Sequence, residues 1–314
     1  VTLRDGERLT ILDGSNRELH PEDLVVTDDS GVIGLGGVMV EALSDVTHRA
    51  APFGREEALA MIGEIRGRAL LCPLRGRPGA DLNALADIAR DEALWLHIDG
   101  AFGAWARLAD APWRALTDGI ERADSLACDF HKWMYVPYDC GLCLIRNGDE
   151  HFATFAARPA YLASHGEGLS GGDPWFCDFG TDLSRGARAL KVWCAVESYG
   201  AAGLGAAITG NCRAAARMGA AVTARPAMAL MAPVISNLCV FTADASLPPK
   251  AQTALNKAIA ASLQLDGTAV FSTTEARGIT CLRAAIANHR TTPEDIDAAI
   301  AAVAARADAL TQAA

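Results

Sequence analysis

The sequence predicts an α/β protein with a mostly parallel sheet flanked by helices, followed by a smaller α+β unit. In the middle of the chain, short apolar runs alternate with segments of helical periodicity, which is typical of βαβ units. Beyond about residue 205 the pattern changes to an alanine-rich helix followed by separate strand and helix signals. The chain has 314 residues, of which 51% are hydrophobic and 21% charged, and this is enough for a buried core.

The first unit contains the strands whose ends point to function. Asp81 is a good N-cap for a helix over residues 82–93, and a helical stretch begins at Pro112 and runs to about Arg122. Short apolar strands are predicted at residues 94–98, 125–128 and 141–145. Ligands bind beyond the carboxyl ends of strands in such sheets. Asp99 and the segment 129–132 both fall at these ends.

The remaining elements follow in order. Residues 159–181 carry five glycines and predict a long irregular loop, and a helix over 185–199 ends at Gly200. The later elements are a strand at 238–242, a helix at 249–263 and a strand pair at 269–272 and 280–285. The last helix has Thr292 as N-cap, Pro293 in its first turn and Asp295 three residues after the cap. We therefore predict a large domain over 1–204 and a small C-terminal domain over 205–314.

Charge and apolar patterning restrict the partners. The formal charge of −10, from 38 acidic and 28 basic residues, argues against nucleic acid or an anionic membrane surface as the main partner. No apolar run reaches the roughly 18–20 residues of a membrane span. The first ten residues show no signal-peptide pattern. Together these observations predict a soluble cytoplasmic protein.

Nine cysteines in a chain of this size do not predict a disulfide framework. Most lie inside apolar segments, so we expect buried, unpaired thiols. The spacing of Cys140 and Cys143 matches half of a zinc site, but no second pair lies at ligand spacing. The sequence therefore predicts no metal centre.

Asp99, Ala101, His131 and Lys132 together indicate pyridoxal phosphate chemistry. Such an enzyme needs a lysine that binds the cofactor as a Schiff base and a carboxylate that faces the pyridine nitrogen. It also needs a small residue against the ring and polar groups near the phosphate. Each of these residues, taken alone, is more often explained by a structural role. An Asp after a strand, for example, usually caps a turn. The combination favours the functional interpretation.

Longer segments resemble the group II pyridoxal-phosphate-dependent decarboxylases, which include the aromatic-L-amino-acid, glutamate, histidine and tyrosine decarboxylases. The resemblance covers about residues 79–314, and its His-Lys and Ser-Arg blocks are specific to this group. The segments that carry it are residues 95–103, 123–134, 137–141, 183–193, 269–274 and 281–292. It implies the fold-type I architecture, a homodimer and decarboxylation of an amino acid, with an aromatic or bulky substrate favoured.

Residue by residue, the resemblance implies that Lys132 forms the Schiff base and that Asp99 faces the pyridine nitrogen. It places Ala101 under the ring and His131 near the phosphate. Asp129 stands where some relatives have asparagine beside the phosphate. We expect an acid there to bond a backbone group or Lys132 instead.

Two departures leave the outcome of the reaction open. The phosphate-binding turn of the family has no clear copy upstream, so the N-terminal part of the large domain is expected to be incomplete; His48 faintly resembles the histidine that stacks on the ring. Between Tyr161 and Tyr199 there is no counterpart of the tyrosine that protonates the carbanion in aromatic decarboxylases. Plant relatives with phenylalanine there produce aldehydes. The alternatives are therefore an aldehyde synthase and a degenerate, non-catalytic homologue.

Overall fold

The computed structural model describes residues 8–10, 16–18, 25–28, 31–35, 69–73, 81–156, 172 and 174–312. His48 and most of the loop predicted at 159–181 lie outside these residues. The N-terminal strands are β1 (Arg8–Thr10), β2 (Asn16–Glu18), β3 (Val25–Asp28), β4 (Gly31–Leu35) and β5 (Ala69–Pro73). β1 pairs with β2 and β3 pairs with β4, both antiparallel.

A four-stranded sheet in the order β5-β6-β7-β8 positions the predicted site. Its other strands are β6 (Trp95–Asp99), β7 (Ser125–Asp129) and β8 (Gly141–Ile145). β6 and β7 are parallel, as the sequence predicts. β5, for which the sequence predicts no strand, is also parallel to β6, whereas β8 runs antiparallel to β7. The short connection between β7 and β8 requires this direction, because a parallel pair needs a longer crossover.

Helix α1 (Leu82–Asp91) covers one face of this sheet. The carboxylate of Asp81 accepts hydrogen bonds from the backbone N–H groups of Asn83 and Ala84 at 3.0 and 3.1 Å, and so caps the helix as predicted. The buried side of α1 packs on Leu96 and Ile98. Because side chains alternate along a strand, His97 and Asp99 lie on the opposite face of β6.

The connection between β6 and β7 differs from the sequence prediction. Instead of one helix from Pro112 to Arg122, it contains the 3-10 helices Gly103–Leu108, Trp113–Thr117 and Ile120–Arg122. Gly119 adopts φ 97°, a left-handed conformation that interrupts a helix. Helix α2 (Gly148–Phe155) follows β8 and is capped by the side chain of Asn147.

Helix α3 (Arg188–Thr223) consists of two halves that join at Gly200, where φ is 63° and ψ is 170°. The prediction that the first helix ends at Gly200 is therefore confirmed, although this helix begins at Arg188 and not at 185. The second half begins directly after Gly200 and contributes fully buried side chains such as Ile208 and Cys212. The boundary at 204 lies within this half and stays a prediction.

The C-terminal sheet has the order β11-β12-β10-β9, and all its pairings are antiparallel. Its elements are β9 (Ala229–Leu230), β10 (Leu238–Thr242), α4 (Pro249–Leu265), β11 (Ser272–Ala276), β12 (Ile279–Ala285) and α5 (Pro293–Gln312). The second half of α3, α4 and α5 share a core with this sheet. β11 begins three residues later than the predicted strand, because the hairpin turns at Arg277 and Gly278 with φ 54° and 74°. No helix among the described residues is long and apolar enough to cross a membrane.

The cysteines in the described residues are mostly buried, as the apolar sequence context predicts. Five of them are buried, at positions 128, 140, 212, 239 and 281, whereas Cys143 and Cys194 are exposed. Burial raises the pKa of Cys128 to about 11 and those of Cys212 and Cys239 to about 12. These thiols are therefore protonated and unreactive near neutral pH.

Candidate active site

The ends of β6 and β7 are held together by backbone hydrogen bonds just where the predicted site residues lie. The N–H of Gly100 donates to the carbonyl of Ala127 at 2.8 Å, and the N–H of Asp129 donates to the carbonyl of Ala101 at 3.1 Å. Asp99 is half-buried, and its Oδ1 accepts a hydrogen bond from the N–H of Ala101 at 3.1 Å. This bond fixes the orientation of the carboxylate at the edge of the sheet.

Lys132 lies in the turn that follows β7, close to two other ionisable residues. Its Nζ is 2.6 Å from Oδ2 of Asp129, and the lysine side chain is 43% exposed. Nδ1 of His131 accepts a hydrogen bond from the N–H of Cys140 at 2.9 Å, so the neutral ring carries its proton on Nε2. This Nε2 is 3.9 Å from Oδ2 of Asp129. The carboxylate of Asp129 therefore bonds the lysine, one of the two contacts that the sequence leaves open.

An aromatic pair connects the two segments of the site. Phe102 follows Ala101 directly, and Trp133 follows Lys132. Their rings stack with centroids 5.1 Å apart and planes 6° apart, and Trp133 is only 1% exposed. The stack packs the segment after β6 against the turn that carries the lysine.

Sequence reasoning did not identify His97, which lies on the same strand face as Asp99. Trp95 Nε1 donates to Ser125 Oγ at 2.8 Å, so the serine hydroxyl can donate its own proton to Nδ1 of His97, 2.6 Å away. Burial lowers the pKa of His97, and the charge of Asp99 opposes this shift. Its spacing of two residues from Asp99 is the signal that could have identified it.

The donor set fits pyridoxal phosphate. A primary amine (Lys132) and a carboxylate (Asp99) come from adjacent strand ends, and the small Ala101 lies between them in the chain. His131 supplies a ring N–H that lies 3.9 Å from the same Asp129 oxygen that contacts the amine. Five of the six predicted site residues thus gather at one sheet edge; the sixth, His48, lies outside the described residues. In the described parts of the chain, no three His, Cys, Asp or Glu side chains group in a way that could hold a metal ion.

Comparison with known proteins identifies the class. The family model of the pyridoxal-dependent decarboxylase conserved domain matches residues 80–244, and the chain belongs to this family. These residues include both strand ends and the lysine turn. A model of the ATP-grasp domain also matches residues 31–91, a shorter segment that contains none of the clustered site residues.

Individual relatives show how much of a longer protein is matched. The chain is 35% identical over 217 residues to an aromatic-L-amino-acid decarboxylase of Bacillus atrophaeus. The aligned region covers 68% of the chain and 45% of the relative. It is 28% identical over 251 residues to an L-2,4-diaminobutyrate decarboxylase of Rhizobium meliloti, covering 78% of the chain and 50% of the relative. The chain thus spans about half the length of these curated relatives.

Solved structures show the same fold. The tryptophan decarboxylase of Catharanthus roseus, solved in complex with L-tryptophan, matches with a TM-score of 0.69 and 22% identity, over 82% of this chain and 55% of that one. The 4-hydroxyphenylacetaldehyde synthase of Rhodiola rosea matches with a TM-score of 0.68 and 21% identity, over 83% of this chain and 55% of that one. At this identity the likeness establishes the fold: the mixed sheets and helices of pyridoxal-phosphate-dependent decarboxylases.

Proposed function

We propose that the protein is a pyridoxal-phosphate-dependent carboxy-lyase that decarboxylates an amino acid. The observation that carries the proposal is the placement of Lys132 and Asp99 at neighbouring strand ends, in a chain of the pyridoxal-dependent decarboxylase family. When bound, the cofactor supplies an electron sink for the pair of electrons left by the departing carboxylate.

The residues of the site divide the work of binding and orientation. Lys132 would hold the cofactor covalently, and the carboxylate of Asp99 would keep a proton on the ring nitrogen. The bond from the N–H of Ala101 holds Oδ1 of Asp99, so that Oδ2 can face this nitrogen. Ala101 is small enough to lie under the ring. His131 offers its Nε2–H to the phosphate.

In this proposal the carboxylate of Asp129 forms an ion pair with the amine of Lys132 and does not bind the phosphate. Its Oδ2 is 2.6 Å from Nζ of Lys132, and a second anion at this carboxylate would be repelled. The stacking role of His48 remains a prediction, because this residue lies outside the part of the chain that the structure describes.

We propose an aromatic amino acid as the first substrate to test. Relatives of this chain are named for aromatic amino acids, tryptophan and diaminobutyrate, so membership of the family does not specify the side chain of the substrate. Aldehyde formation is the second candidate, because the chain is 25% identical over 217 residues to the 4-hydroxyphenylacetaldehyde synthase of Rhodiola rosea.

Covalent attachment of the cofactor tests the proposal directly. Purified protein is mixed with pyridoxal phosphate, and the visible absorption band of the lysine-bound cofactor is recorded. Borohydride reduction and peptide mass spectrometry then locate the attachment. We expect the band in the wild type and in the control Lys250→Ala, an exposed lysine of α4, and no band in Lys132→Ala. A wild type that forms no band, or a label on another lysine, contradicts the proposal.

Product analysis separates the fates of the substrate. A panel of aromatic and acidic amino acids is incubated with the loaded protein. Both fates release CO2. Amine as the co-product indicates decarboxylation, whereas aldehyde, ammonia and hydrogen peroxide, formed with consumption of O2, indicate the aldehyde synthase. A protein that attaches the cofactor and turns over no member of the panel is the non-catalytic homologue.

We further propose a cytoplasmic homodimer with domains over 1–204 and 205–314. Exposed apolar side chains on the first half of α3 support self-association: Leu190, Trp193 and Tyr199 are 60%, 61% and 69% exposed. A second copy that covers them would remove this surface from water. Sedimentation equilibrium of the wild type and of Trp193→Glu measures the association, and a monomeric wild type contradicts the dimer.

A further inference from the structure

Asn211 joins three separate segments from a buried position on the second half of α3. Its side chain is 2% exposed. Oδ1 accepts hydrogen bonds from Trp133 Nε1 at 3.0 Å and from the hydroxyl of Tyr135 at 2.6 Å. Nδ2 donates to the carbonyl of Asn288 at 2.9 Å. One amide therefore connects the turn after β7, helix α3 and the segment after β12.

The two donors that Asn211 accepts from lie one and three residues after Lys132. Tyr135 has φ 58°, a left-handed conformation that side chains other than glycine seldom adopt. The N–H of Val136 donates to the carbonyl of Phe130 at 3.2 Å and closes the turn around the lysine. A turn with this conformation needs tertiary contacts to hold it, and the bond from Tyr135 to Asn211 is one of them.

The chemistry of the network specifies an amide at position 211. The indole N–H of Trp133 can only donate, so the amide oxygen of Asn211 must face the turn, and its NH2 group then faces the carbonyl of Asn288. An aliphatic residue would leave buried donors without partners, and an aspartate would bury a charge facing a carbonyl oxygen.

We infer that Asn211 is a positioning residue that sets the place of Lys132 through Trp133 and Tyr135. Trp133 also stacks on Phe102, so the same contacts determine where the lysine lies relative to the segment that begins at Asp99. This inference rests on the proposed function, in which Lys132 binds the cofactor. The link to Asn288 makes the position of the lysine depend on the C-terminal segment as well.

The test compares Asn211→Ala with a control at an equally buried asparagine. Asn256 is 0% exposed; it accepts a bond from the N–H of Ala243 at 3.0 Å and donates to Thr242 Oγ1 and the Thr280 carbonyl at 3.0 and 2.9 Å. Both alanine variants should lower the temperature of thermal unfolding. Only Asn211→Ala should slow attachment of pyridoxal phosphate, by about tenfold or more, since a 1 Å misplacement of a reacting group can cost about a hundredfold.

A readout without cofactor separates this inference from the proposed function. Reductive methylation of the ligand-free protein, followed by peptide mass spectrometry, measures the reactivity of Lys132 itself. We expect Asn211→Ala to change this reactivity by about threefold or more, a smaller effect than that on attachment because a small reagent is less demanding of orientation. Asn256→Ala should match the wild type. This comparison is informative even if the wild type never attaches the cofactor.

Two milder variants keep the test decisive if Asn211→Ala fails to fold. Trp133→Phe removes the indole donor and keeps an aromatic ring on Phe102, and Tyr135→Phe removes only the hydroxyl. Each should shift the reactivity of Lys132 in the same direction as Asn211→Ala. The inference is overturned if both leave the lysine unchanged, or if Asn256→Ala alters attachment and reactivity as much as Asn211→Ala does.

Discussion

Gly100 lies between the two strand ends of the site, and a single added methyl group tests how tightly they are packed. A Cβ at position 100 would lie 2.7 Å from Ala104 Cβ, 2.9 Å from Leu126 Cδ1 and 3.1 Å from the carbonyl oxygen of Ala127. The leucine can move aside, but the other two contacts are rigid. Overpacking of this kind costs about 1–3 kcal/mol. We expect Gly100→Ala to lower the melting temperature by about 2–4 °C for each kcal/mol of unfolding free energy that is lost. We also expect it to weaken cofactor binding.

A second substitution makes this prediction quantitative. Ala104→Gly removes the methyl group at 2.7 Å, although alone it should cost about 1 kcal/mol through lost burial and a more flexible chain. The double variant should therefore be more stable than the sum of the two single effects implies, with a coupling of about 0.5–3 kcal/mol. Thermal and urea unfolding measure all four proteins. Gly210→Ala, which meets nothing within 4 Å in α3, is the control and should not lose stability. Additive effects, or a Gly100→Ala variant as stable as the wild type, refute the reasoning.

Two further predictions concern stability. Thr292 and Asp295 form a reciprocal cap on α5, with bonds of 2.9 and 3.2 Å, so Thr292→Ala should cost about 1 kcal/mol in urea unfolding, and an unchanged midpoint contradicts the cap. Burial raises the pKa values of Cys128 to about 11 and of Cys212 and Cys239 to about 12. The unfolded state then loses these protons first as pH rises, so stability should fall progressively above about pH 9. Replacing Cys212 by Ala should flatten this fall in urea unfolding measured across pH, and an unchanged slope contradicts the prediction.

Local patterns in the sequence were sufficient for the elements that bear the site. The cap at Asp81, the apolar strand before Asp99 and the strand before Asp129 are all signals within a few residues, and the structure has each of them. Because parallel strands present their carboxyl ends at one edge, these signals also predicted that Asp99 and Lys132 share that edge. The family resemblance added the roles, which the residue types alone left open.

Boundaries and turns were less predictable. The sequence indicates one helix after Pro112, whereas the chain forms 3-10 helices there, because the left-handed Gly119 breaks the hydrogen-bonding pattern. The hairpin of β11 and β12 is displaced because its turn uses Arg277 and Gly278, both with positive φ. Helical and strand periodicity continue smoothly across such points, so the pattern alone does not mark them.

The sequence by itself determined the strands of the site, since these depend on residue types at short spacing. Its resemblance to a known family determined the class of the chain and predicted which amine and carboxylate act there. Only the tertiary structure decided what holds them. Asn211 bonds Trp133 across 78 positions of the chain, and Ser125 bonds His97 across 28. No local pattern marks such partners, because a buried polar side chain finds its hydrogen bonds in the segments that packing brings beside it.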